Sequence, residues 1–111
     1  MATKQTALSA TSVASNPVPY NPDRRFAYIR NYSFSGATMW VLFVPQGSNL
    51  VATAGTQGEL EILPGMDFEF GGKLDPTTKQ LPGSFKLPNC PLEGISIITS
   101  GGTATGTFME F

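Results

Sequence analysis

Apolar and acidic residues alternate in GELEILPGMDFEFGG (58–72): Leu60 and Ile62 with Glu59 and Glu61, then Phe68 and Phe70 with Asp67 and Glu69. A period of two predicts two strands with apolar side chains inward and carboxylates outward. Pro64-Gly65 supplies the turn of a hairpin, because proline presets φ at the first corner and glycine accepts positive φ at the second. The stretch 24–44, RRFAYIRNYSFSGATMWVLFV, predicts a second hairpin around Ser35-Gly36, both arms filled with β-branched and aromatic residues. In its first arm Phe26, Tyr28 and Tyr32 share one face, and Ala27, Ile29 and Asn31 the other. The second arm is apolar from Met39 to Val44, which predicts that both of its faces are covered. A third hairpin is expected from GISIITS and TATGTFMEF, with Ile95 and Ile97 on one face and Thr103, Thr105 and Thr107 along one face of the last strand.

The remaining segments lack a clear period. Residues 1–15 are small and mostly polar and read as an extended arm, which needs a sheet edge to join, its own or a neighbour's. NPVPYNPD (16–23) has three prolines and reads as an extended linker or corner, whose prolines are expected to hold the arm away from its own domain. Residues 45–58 form a long polar loop, with a short edge strand expected at 50–53. Residues 73–92 contain four prolines and read as an irregular excursion with a short strand at 84–87. Nine prolines and twelve glycines interrupt the chain, and no helical period is sustained. The expected fold is therefore all-β: an antiparallel β-sandwich or flattened barrel, jelly-roll-like, of about six to eight strands. Residues 1–21 are expected to be the arm and linker, and 22–111 a single domain. Its core is expected to use Ile29, Met39, Val41, Phe43, Leu60, Ile62, Phe68, Phe70, Ile95, Ile97 and Phe108.

Composition narrows the chemistry. The 111 residues include no His and one Cys, which excludes His-based acid–base catalysis, His-containing zinc sites and an internal disulfide. Cys90 lies between prolines with no base to activate it and reads as a small buried apolar residue. Glu59, Glu61, Asp67 and Glu69 are candidates for Ca²⁺ binding or a catalytic acid and base, but a solvated outer face explains them better. A net charge of −1 offers no electrostatic footprint for nucleic acid, and Arg24, Arg25 and Arg30 read as strand-end solvation or salt bridges. No run of eighteen apolar residues predicts a membrane span, and the first residues lack the apolar segment of a signal peptide. No catalytic residue, metal or cofactor is expected, and the chain is not expected to be an enzyme. Charged residues make up only 14% of the chain, as suits a surface largely covered in an assembly.

NPDRRFAYIRNYS, MWVLF, LEILPGMDFEF and GISIITSGGTATGTFMEF together resemble a loose group of small tailed-phage virion proteins. The resemblance spans residues 22–111 and is carried by strand patterning, without catalytic motifs; the proline-rich 73–92 segment departs from it. It implies a compact β-domain displayed on the capsid or tail, most simply a capsid decoration (cement) protein that bridges capsomers. A head or tail fibre or spike-base component is the alternative, and a carbohydrate-binding module using Trp40 or the tyrosines is the reading from another class. The implied partners are the major capsid protein or other virion proteins, and further copies of the chain, a trimer being the first expectation. The implied location is the virion, assembled in the host cytoplasm. Partner contacts are expected from residues 1–20 and the 45–58 loop, through Leu8, Val13, Tyr20, Trp40, Asn49, Leu50 and Val51.

Overall fold

A computed structural model describes residues 4–71, 84–87 and 90–111. Among them the chain is all-β, with strands β1 (Lys4–Ala10), β2 (Ser15–Val18), β3 (Ala27–Asn31), β4 (Met39–Val44), β5 (Leu60–Ile62), β6 (Asp67–Phe70), β7 (Ser84–Leu87), β8 (Gly94–Ile98) and β9 (Ala104–Glu110). One sheet runs β1-β9-β3-β6-β7 and the other β2-β8-β4-β5. Every pairing is antiparallel except β6 with β7, which is parallel. No helix among the described residues is long and apolar enough to cross a membrane.

Both sheets turn their apolar side chains onto one core, in a sandwich-like arrangement. Nine of the expected core residues are buried: Ile29, Met39, Val41, Ile62, Phe68, Phe70, Ile95, Ile97 and Phe108. Phe43 and Leu60 pack against them, half-buried. The Phe43 ring meets Phe70 of the facing sheet edge-on, with centroids 5.7 Å apart, a favourable aromatic geometry. Gly106 lets β9 approach β3 closely. A Cβ there would fall on the Arg30 carbonyl oxygen and stand 3.3 Å from Met39 Cε of the other sheet.

None of the three expected hairpins is one. β3 and β4, β5 and β6, and β8 and β9 each divide between the two sheets, so each turn is a corner from one sheet to the other. In both arrangements each strand turns an apolar face inward, so local periodicity is blind to the difference. Asn31 fastens the corners. Fully buried at the end of β3, it donates through Nδ2 to the carbonyls of Ala37 (3.0 Å) and Ile62 (2.8 Å). Its backbone N–H donates to Met66 O (3.1 Å), and its own carbonyl accepts from Gly65 N–H (2.8 Å).

The expected free arm is also corrected. Residues 4–10 pair in unbroken register with β9 of the same chain, from Lys4 opposite Glu110 to Ala10 opposite Ala104. Leu8 and Ala10 are buried in the core, so the segment gains both backbone hydrogen bonds and apolar burial at its own sheet edge. The prolines do not hold it away: Pro17 lies within β2, an edge strand, where a missing N–H is tolerated. The strand expected at 84–87 is β7. Residues 50–53 form no strand. The remainder of the 73–92 excursion lies outside the described residues, apart from 90–92.

Candidate functional site

The loops gather at two ends of unlike chemistry. At one end the 11–14, 32–38, 63–66 and 99–103 connections lie side by side. Thr99 N–H donates to Thr11 O (2.8 Å), Gly36 N–H to Thr103 O (3.2 Å) and Gly65 N–H to Asn31 O (2.8 Å). These four connections contain no charged residue. They present Phe34, 77% exposed, together with Val13, 74% exposed, and Leu63. Phe34 tilts against Tyr32, ring centroids 5.3 Å apart.

The opposite end is ionic. Arg24 forms a salt bridge, one of the two roles expected for it, but as a buried residue and not a solvated strand end, and it uses its guanidinium as a four-way tie. Nε donates to Glu110 Oε2 (2.8 Å), Nη1 to the carbonyls of Pro91 (2.8 Å) and Glu93 (2.9 Å), and Nη2 to Pro19 O (3.3 Å). Asn21 Nδ2 donates to the other Glu110 oxygen (3.3 Å), and the Phe108 ring lies 5.2 Å below the guanidinium carbon. A low-dielectric ion pair is stable only when its remaining hydrogen-bonding capacity is met, and here the backbone carbonyls meet it. Beside the pair opens a hollow of about 750 Å³, lined by Lys4, Asp23, Arg25 and Phe111 among others.

The four carboxylates of 59–69 do not share a face. Glu61 lies on the β2-β8-β4-β5 sheet, whereas Asp67 and Glu69 lie on the other. Asp67 Oδ2 accepts from the Tyr28 hydroxyl at 2.7 Å. Burial, that hydrogen bond and the Asp67 charge push Tyr28 up to about 12. Glu59 holds its own loop by accepting from the Thr53 hydroxyl (2.6 Å) and Gln57 N–H (2.8 Å). Burial pushes Glu59 up, but these bonds outweigh it and hold its carboxyl below the usual range. No three His, Cys, Asp or Glu side chains among the described residues are grouped to hold a metal. Cys90 is half-buried against the core, which raises its thiol above the ordinary range.

The expected contact residues separate into four groups. Leu8 belongs to the core and is not available to a partner. Trp40 is half-buried beneath the 45–58 loop: a Cβ on Gly55 would stand 3.1 Å from its ring. That loop crosses the outer face of its own sheet, where Ala52 N–H donates to the buried Ser96 hydroxyl (2.8 Å). It therefore supplies part of the cover expected over β4. Asn49, Leu50 (47%) and Val51 (48%) are exposed on it. Val13 joins the uncharged end. Tyr20 lines a separate hollow of about 290 Å³ with Asn16, Pro19, Gln46 and Ser48. Leu63 was not expected as a contact residue. The signal was present in four turn segments without a charge, but it becomes a surface only when the corners bring them together. No family model, curated protein or solved structure matches the chain.

Proposed function

We propose that the chain is a structural protein of a tailed-phage virion, acting as a capsid decoration protein with a jelly-roll domain. One observation carries this reading: β1-β9-β3-β6 faces β2-β8-β4-β5, and among these eight strands each step from one to the next, except β4 to β5, changes sheet. Such interleaving supports a double-sheet jelly roll, an architecture recurrent in viral capsid and lectin domains. β7 is then an addition beside β6. The step from fold to role is one of analogy, joined to the resemblance of the 22–111 strand pattern. The role is mechanical and asks no catalysis of the chain: exposed apolar side chains on rigid loops meet capsomers and neighbouring copies. Leu50 and Val51, carried on a loop pinned to its sheet, suit such contacts, and so does the uncharged end, whose covering desolvates no ion. The Tyr20 hollow, with one aromatic ring among amide and hydroxyl groups, favours a carbohydrate module as the second reading.

Particles produced with and without the chain test the proposal by electron microscopy and thermal genome release. The expected result is ordered density on the shell and earlier release without the chain. Leu50→Ser with Val51→Ser is expected to lower occupancy. Shells that carry no density, together with glycan-array binding abolished by Tyr20→Ala, would establish the carbohydrate reading instead.

A further inference from the structure

We infer that two copies of this chain pair through the free edge of β1, antiparallel about a two-fold axis near Ala7. The evidence is the unequal protection of the sheet edges. An edge strand exposes alternate N–H and C=O groups that accept another strand, and monomeric proteins block this with prolines, bulges, short strands or charges. β2 contains Pro17 and an irregular register, and β5 is three residues long with exposed Glu61 at its centre. β7 is bordered by residues beyond the described ones. β1 has only one of these devices, the charge of Lys4 at its first residue, and from Gln5 to Ala10 it is uncharged. It is seven residues long, free of proline, and paired without interruption to β9. No described strand lies on its other side.

The occupant must be an extended strand, and the residues of β1 suit a second β1. Gln5, Ala7 and Ser9 are exposed and uncharged, while Leu8 and Ala10 face the core. Pairing centred on Ala7 sets Leu8 opposite Thr6 of the second copy. Core-facing residues then meet core-facing residues, as register requires, and the half-buried Thr6 gains cover. Lys4, the only charge in β1, lies opposite Ala10 of the other copy. At ~3.3 Å per residue the two lysines stand roughly 20 Å apart, beyond the ~8 Å screening length of physiological salt. The two sheets would join as one ten-stranded sheet, a two-fold arrangement in place of the three-fold symmetry expected from the sequence. This gives the proposed contact role one of its partners and rests on that role only for its biological setting.

Sedimentation of the purified intact chain, free of particles, tests the pairing, so its failure is distinct from failure of the virion reading. The intact chain and an Ala7→Ser control are expected to be dimers. Ala7→Lys and Ala7→Glu place like charges face to face at the axis, and each is expected to be a folded monomer by circular dichroism. An equimolar mixture of the two is expected to restore the dimer. If either variant loses its fold, Gln5→Lys with Ser9→Lys, and Gln5→Glu with Ser9→Glu, repeat the test, because the pairing sets residue 5 of one copy opposite residue 9 of the other. An intact chain that stays monomeric at every concentration, forms a trimer, or dimerises regardless of these charges would overturn the inference.

Discussion

Tyr28 keeps its proton unusually well for a surface-sheet tyrosine. Its burial and its hydrogen bond to Asp67 raise the phenol to about 12, against an ordinary value of 10.0. Because the folded state binds this proton more tightly than the unfolded state, the stabilisation is complete below pH ~10 and is lost as pH rises from ~10 toward ~12. Ultraviolet titration of the folded chain is expected to show a tyrosine ionising near pH 12, a step absent from Tyr28→Phe. Three tyrosines that all ionise near pH ~10 would count against the contact with Asp67. The outward face of Tyr28 was legible in the sequence, because alternation assigns faces. Its partner was not: Asp67 is remote in the chain and is set diagonally from Tyr28 only by the pairing of β3 with β6.

Among the elements, β9 is the most constrained. It is central enough to pair with both β1 and β3, and Gly106 lies opposite Leu8 on one side and Asn31 on the other. Gly106→Ala pushes a methyl into the Arg30 carbonyl. Overpacking of this kind costs about 1–3 kcal/mol or more, so the urea midpoint is expected to fall clearly. An unchanged midpoint would show that β3 and β9 can separate at little cost. Strand positions were largely readable, including the short 84–87 strand within a proline-rich segment. Strand partners were not. Ser35-Gly36, Pro64-Gly65 and Ser100-Gly101-Gly102 permit a reversal of the chain, and a reversal closes a hairpin or crosses between sheets with the same inward faces.

The whole molecule is ionic at one end and uncharged at the other. Arg24 fastens the ionic end by joining the 19–24 segment to 91–93 and to β9. Arg24→Leu leaves Glu110 buried without its cation, and breaking a buried pair in this way costs about 3–5 kcal/mol. Replacing both partners, Arg24→Leu with Glu110→Met, is expected to recover much of that loss. The comparison is read from denaturant midpoints of the two single variants and the double variant. A double variant as weak as the sum of the singles would show that the pair acts as two independent groups.

The sequence by itself determined the strand class, the inward faces of β3, β4, β5, β6, β8 and β9, and the main core. These follow from the period-two pattern of apolar side chains, which each strand carries locally. It also set the low charge and the absence of histidine that shape any functional reading. Tertiary structure alone decided that the first residues join β9, that the three turns are corners, and that uncharged loops form one end. Those outcomes depend on contacts between segments distant in the chain. Leu8 becomes core only beside Gly106, Arg24 is buried only against Glu110, and Asn31 Nδ2 finds its acceptors only in the carbonyls of Ala37 and Ile62.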